Sequence, residues 1–254
     1  MNTSQNPLIS VSGLTVGYDG VALLRDLSFR VMRGDIFVIK GGSGCGKSTL
    51  LRAMTGLVPP MSGSIVVDGR EMVGASDVVR GQIMRRVGVL FQSGALFSSM
   101  TVGENVALPL RQHTNYSDDA IRDIVEFKLA LVGLSGCTDL YPSQLSGGMK
   151  KRAGLARALA LEPEIVYFDE PSAGLDPVSS RALDDLILQI NRDFGTTIII
   201  VSHELESIFS VGTNSIFLDA AAHGIIAYGN PHDLRKNPPN DTVRAFLNRQ
   251  RKEK

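Results

Sequence analysis

The sequence predicts an α/β protein: a parallel-stranded core drawn from both ends of the chain, antiparallel strands near its start, and an inserted helical segment. Three observations predict it. The run "GGSGCGKST" (Gly41–Thr49) stands between an apolar strand-like run and a helix-like one. "PEIVYFDEP" and "TTIIIVSHE" are short continuous apolar runs, as expected of strands buried on both faces. From about residue 98 to 160 the apolar spacing turns helical.

Taken in order, "LISVSGLTVGY" and "LRDLSFRVMRG" read as antiparallel strands leading into a buried "DIFVIK". "SGSIVVDGREM" adds a strand with an Asp68-Gly69 turn signal. In "SDDAIRDIVEFKLALVGLSG" a Ser-x-x-Ala start precedes apolar residues at Ile121, Ile124, Val125, Leu129 and Val132, which predicts a helix. "RALDDLILQINRDFG" and "NSIFLDA" continue the helix–strand alternation. The expected organisation is one domain over 1–254, with the core and β-subdomain over about 1–97 and 161–235. The helical subdomain covers about 98–160, and a tail covers 236–254.

Composition narrows the function classes. Of 254 residues, 43% are hydrophobic and 20% charged, and 26 basic residues balance 26 acidic ones, so no nucleic-acid partner is expected. The locally basic end "RAFLNRQRKEK" reads as a frayed, solvated helix end. "MNTSQNP" lacks the basic and apolar regions of a signal peptide. No apolar run approaches the roughly 18 residues of a membrane span, so a membrane role is expected to come through a partner. Cys45 and Cys137 do not make a disulfide framework and fit a reducing cytoplasm.

Gly41-x4-Gly46-Lys47-Ser48 fits the P-loop pattern, with a strand before it and a helix after it. Glycines let consecutive N–H groups converge on phosphate oxygens, Lys47 adds a point charge, and Ser48 can ligate Mg²⁺. Asp169 ends an apolar strand and Glu170 follows it. Beside a P-loop, Asp169 is expected to hold Mg²⁺ through water and Glu170 to polarise an attacking water. His203 comes off "IIIVS" toward the same edge and suits a γ-phosphate contact, whereas His113, His223 and His232 read as surface residues. Gln92 is either a site residue or an ordinary polar loop residue. Tyr18 either stacks on a purine or packs in the core.

Tyr18, Gly41–Ser48, Gln92, "LSGG" (Leu145–Gly148), "IVYFDE", "SAGLD" and His203, in this order and spacing, resemble an ATP-binding-cassette ATPase over roughly residues 8–235. The resemblance implies a P-loop NTPase (RecA-like) core and a head-to-tail dimer of two copies holding two ATP molecules with Mg²⁺. Each ATP would lie between one copy's Gly41, Gly42, Ser43, Gly44, Cys45, Gly46, Lys47, Ser48 and Thr49 and the other's Ser146, Gly147 and Gly148. It further implies that Tyr18 stacks on adenine, that Gln92 senses Mg²⁺ and the membrane partner, and that Glu170 is the general base. Asp176 becomes a cross-dimer communicator and His203 the γ-phosphate contact.

"FQSGALFSSMTVGENVALPLRQHT" and "LSGGMKKRAGLARALALEPEIVYFDEP" are similar to the Mla-type ATPases, which energise phospholipid transport at the Gram-negative envelope. That resemblance implies integral membrane permease subunits, a lipid-binding substrate protein reached through the permease, and a peripheral place on the cytoplasmic face of the inner membrane. The tail after His232 leaves open whether a C-terminal contact joins two copies. Leu96 and Phe97 are candidates for the partner groove or for packing in the helical lobe.

Where the family usually has Gln, this chain has Met149. With Ser146 as N-cap, Met149 falls at N3 and cannot complete a capping box, a loss on the order of 1 kcal/mol or less. Phosphate binding would use Ser146 and backbone N–H groups instead, and the Met side chain either packs on the helical lobe with Ala153, Ala156 and Ala160 or has a special role. Other readings of the chain are a cassette ATPase acting on DNA or ribosomes, a nucleotide-dependent scaffold for envelope or division proteins, and a non-lipid importer subunit. No coiled-coil arm, zinc motif or second cassette supports the first of these.

Overall fold

Alternating strands, then helices, then strands again account for the chain as the sequence predicts. The computed structural model describes residues 6–248; residues 1–5 and 249–254, including Arg249 and Gln250 of the predicted tail helix, lie outside the described residues. Two compact units divide the chain. One runs to Ile83 and resumes at Thr197, and the other is Met84–Thr196.

The first unit opens with β1 (Ile9–Tyr18), β2 (Val21–Val31) and β3 (Ile36–Gly41), then α1 (Lys47–Met54). β4 (Ser62–Val67), β5 (Arg70–Glu71) and α2 (Asp77–Met84) follow. The second unit holds β6 (Val87–Leu90), α3 (Val102–His113), α4 (Asp118–Leu131), α5 (Gly147–Ala158), β7 (Ile165–Asp169) and α6 (Pro177–Phe194). The chain then returns to the first unit with β8 (Thr197–Val201), α7 (Leu205–Val211), β9 (Asn214–Asp219), β10 (Gly224–Gly229), α8 (Pro231–Lys236) and α9 (Asp241–Leu247).

Within the first unit, β2-β1-β4-β5 form an antiparallel sheet. Asp68 and Gly69, at φ 48° and 74°, make the predicted two-residue turn between β4 and β5. A second sheet runs β10-β9-β3-β8, with β3 parallel to β8 and β9, and β10 antiparallel to β9. Phe29 of β2 stacks on Phe37 of β3 at 5.4 Å between ring centroids, joining the two sheets. Every residue of β3 and of β8 is buried, which explains why both read as continuous apolar runs.

In the second unit β6 and β7 pair in parallel. α4 starts where Ser117 accepts the Ala120 N–H, as predicted, and α3 starts with a full capping box between Thr101 and Glu104. α5 buries Ala153, Leu155 and Ala156 against its neighbours, together with Lys151. No described helix is long and apolar enough to cross a membrane.

The described part of the tail folds back on its own unit. Val243 and Leu247 of α9 are fully buried against Phe217 and Ala227, with Phe246 meeting Phe217 edge-on at 4.8 Å. Burying each aliphatic side chain is worth about 1.5–3 kcal/mol, enough to hold a helix of two turns.

Candidate functional site

The first unit builds the glycine loop that the sequence reads as a phosphate cradle. β3 ends at Gly41 and the loop turns into α1, whose N-cap Gly46 has φ 94°. A side chain at Gly46 is strained by that angle, and its Cβ would lie 2.9 Å from Leu24. Gly42, Ser43 and Gly44 are exposed, and a Cβ at Gly42 or Gly44 would meet nothing within 4 Å. Open space on that side is what a polyphosphate needs. Lys47 is buried with its ammonium over the loop, donating to Gly41 O at 3.2 Å and Gly42 O at 3.0 Å. Ser48 is half-buried beside it and Thr49 is buried. Cys45 points inward, and burial pushes its thiol up from its ordinary value.

Tyr18, at the end of β1, is 40% exposed, so it does not pack in the core. Arg52 of α1 donates to its hydroxyl at 3.3 Å, tying the aromatic to the helix that follows the cradle. A hydrogen bond from Thr49 and then that of Arg52 pull the phenol below its usual range. His203 is exposed and leaves β8 two residues past Val201, which pairs with Ile39 of β3. Its backbone therefore emerges at the edge where β3 enters the cradle. His113, His223 and His232 are exposed as expected. His223 Nδ1 and His232 Nε2 lie 3.0 Å from the carbonyls of Leu23 and Phe209.

Lys40, the residue before the cradle, was not singled out by sequence. It is fully buried in β3, its Nζ has no hydrogen-bond partner among the described residues, and burial lowers it to about 8. A lysine at a strand end reads as solvent-facing, which hides such a group.

The second unit assembles the other predicted residues around α5. Asp169 and Glu170 are half-buried at the end of β7, and Glu170 has φ 50°. Since β6 pairs with β7 through Leu90 and Phe168, Gln92 and Glu170 both follow two residues beyond the last pair, on the same edge. Gln92 is exposed. Ser146 caps α5 by accepting the Met149 N–H at 3.3 Å, with Ser146 and Gly147 exposed and Gly148 half-buried. A Cβ at Gly148 would approach Leu175 at 3.7 Å, so the start of α5 lies against the turn leading to Asp176. Asp176 caps α6, accepting N–H groups of Val178 and Ser179 at 3.0 Å and the Ser179 hydroxyl at 2.5 Å. The Ser179 hydroxyl is the main cause that holds its carboxyl below the usual range.

On the opposite flank of α5, the loop after β6 presses close. Arg157 donates to Ala95 O at 2.8 Å and Gly94 O at 3.2 Å, and its guanidinium lies 6.0 Å from the Phe97 ring centroid. Buried Asn105 accepts the Phe97 N–H at 2.8 Å and donates to Phe97 O at 3.1 Å. The Phe97 backbone is thus pinned while its ring stays 51% exposed; Leu96 is half-buried. Core packing does not account for Phe97. Arg157 and Lys151 escaped the sequence reading because long cations at helical positions usually snorkel to water.

The family model for the ABC transporter matches residues 24–173. The chain is 40% identical to the intermembrane phospholipid transport system ATP-binding protein MlaF of Escherichia coli K12, covering 97% of this chain and 91% of that one. It is 42% identical to the probable ribonucleotide transport ATP-binding protein mkl of Mycobacterium tuberculosis, covering 96% of this chain and 67% of that one. Among solved structures, the dimeric post-hydrolysis state of the ATP-binding cassette MJ0796 bound to ADP and Pi matches with TM-score 0.79 and 27% identity. That match covers 87% of this chain and 97% of that one. The fold is therefore that of a P-loop NTPase.

Proposed function

Because this chain belongs to the ABC transporter family as an ATP-hydrolysing, ATP-binding subunit, we propose that it energises phospholipid transport between membranes. The observation that carries this reading is the likeness to MlaF over nearly the full length of both chains. The likeness to mkl covers a smaller share of that protein, and a ribonucleotide cargo is the second reading it favours.

In the proposed mechanism two copies close head to tail on two ATP molecules. The cradle from Gly41 to Thr49 takes the phosphates through its N–H groups, with Lys47 adding charge, and Tyr18 stacks on adenine. Ser146, Gly147 and Gly148 of the second copy present a hydroxyl and helix-start N–H groups to the same γ-phosphate. Glu170 accepts a proton from the attacking water, and His203 contacts the γ-phosphate. Ser48, Asp169 and Gln92 are oxygen donors of the hard type that suits Mg²⁺, and they would hold it. The ion, when bound, neutralises charge on the phosphate oxygens. Asp176 carries the state of one site to the other.

Closure requires γ-phosphate contacts from both copies, so ADP does not sustain it. Gln92 and the exposed Phe97 ring face integral membrane permease subunits at the cytoplasmic face of the inner membrane. A lipid-binding substrate protein acts through that permease. Extraction of the complex from native membranes, followed by mass spectrometry of its proteins and lipids, tests the reading. Permease subunits with bound phospholipid are expected; recovery without membrane subunits or lipid overturns it.

A further inference from the structure

Lys151 lies on the buried side of α5, with 6% of its surface exposed. Its ammonium donates to Pro171 O at 2.7 Å and to Ala173 O at 2.5 Å. These carbonyls belong to the turn that begins at Glu170, and Ala173 N–H donates back to Glu170 O at 3.2 Å. A buried charge is held only where such acceptors repay its desolvation, so these two contacts fix the register of α5 against the turn.

The turn also carries local strain. Glu170 sits at φ 50°, outside the usual region for a residue with a Cβ, and the buried Ser172 hydroxyl has no partner among the described residues. Glu170 begins this turn and Asp176 follows it as the cap of α6. Ser146 caps α5, so Lys151 stands little more than one helical turn from the proposed phosphate donors. One rigid helix thus carries Ser146, Gly147 and Gly148 at its start and, through Lys151, grips the turn of the proposed base.

We propose that Lys151 is a positioning residue that couples the two ATP sites of the dimer. In the head-to-tail arrangement, on which this inference rests, Ser146 serves one ATP and Glu170 of the same copy serves the other. Phosphate engaged at the start of α5 shifts the helix, and the ammonium bridge draws the Pro171–Ala173 carbonyls with it. The Glu170 carboxylate is thereby set only when the neighbouring site is filled.

The test uses the membrane-extracted complex with Lys151→Met, which keeps the length and removes the donors, and Lys151→Gln, which keeps a neutral, shorter donor. Steady-state ATPase rates, Hill coefficients and binding of a non-hydrolysable ATP analogue are read. For wild type a Hill coefficient above 1 is expected. Lys151→Met should bind the analogue within about twofold of wild type, lose at least about tenfold in kcat, and fall to a Hill coefficient near 1. Lys151→Gln should fall between the two.

A folded variant of either kind with wild-type kcat and Hill coefficient overturns the proposal, and if Lys151→Met does not fold, Lys151→Gln alone decides. A kcat loss matched by an equal loss of analogue binding also overturns it, since that is general damage to the fold. Glu170→Gln run beside them separates the two readings. If it retains turnover, the underlying mechanism fails. If it is inactive while both lysine variants behave as wild type, only the coupling role of Lys151 fails.

Discussion

Gly154 and Gly94 meet backbone to backbone: a Cβ on Gly154 would stand 2.7 Å from the Gly94 carbonyl oxygen. Arg157, one turn further along α5, donates to that same oxygen. The loop bearing Gln92 is therefore fastened to the helix capped by Ser146. Gly154→Ala is expected to overpack this contact and cost about 1–3 kcal/mol, read as a lowered Tm. An unchanged Tm would show that the loop yields without strain.

Glu170→Gln keeps the shape of the side chain and removes its basicity. Turnover should fall by at least about 100-fold while ATP produces a stable dimer, seen by light scattering with ATP but not ADP. Wild-type turnover in this variant would rule out Glu170 as the base.

Lys47→Ala removes the cation that lies over the Gly41 and Gly42 carbonyls. Nucleotide affinity should drop by at least about tenfold, a loss of roughly 1.4 kcal/mol or more, measured by titration calorimetry. Equal affinity in wild type and variant would remove Lys47 from the phosphate site.

Lys40→Met tests the buried amine in β3. Burial lowers Lys40 from 10.5 to about 8, so between those pH values the unfolded chain holds a proton that the folded chain has lost. Stability of the wild type therefore rises with pH across that window, and below it the folded state carries the full penalty. The variant should be the more stable at pH 7, by up to about 3 kcal/mol, with the gap closing toward pH 10.5. Denaturation in urea at pH 7, 8.5 and 10 reads the slope, and a gap independent of pH would show that Lys40 is not neutralised in the fold.

Met149→Gln completes the cap at the start of α5. Ser146 already accepts the Met149 N–H, and a Gln side chain would return a bond to the Ser146 N–H. ATPase activity should stay within a few-fold, and stability should rise by about 1 kcal/mol or less. A collapse of activity would mean that the methionine has a part in the site beyond packing.

Legibility in the sequence follows burial. The strands of the core announced themselves because Ile36–Gly41, Ile165–Phe168 and Thr197–Val201 are buried on both faces. Caps at Ser117 and Ser146 were visible because the capping hydroxyl precedes the helix in the sequence itself. α2 was silent: only Ile83 is buried, so it leaves no periodic apolar stripe. α6 begins at Pro177, four residues before the apolar pattern that reveals it, because Asp176 and Pro177 start it by capping. The glycine loop was legible as a contiguous motif, and Gln92, Asp169, Glu170 and His203 as residues at the ends of apolar runs. Lys151 and Arg157 were not legible, because each donates to backbone carbonyls distant in sequence, and a carbonyl carries no side-chain signature.

The chain has no tryptophan and five tyrosines, so its near-ultraviolet emission is weak and uncluttered. Tyr18, exposed at the lip of the cradle and braced by Arg52, is therefore a natural place for an optical label. An indole placed there would be the sole one in the polypeptide. With adenine stacking on this position as proposed, its quenching would report arrival of a purine in real time, with no dye and no change to the glycine loop.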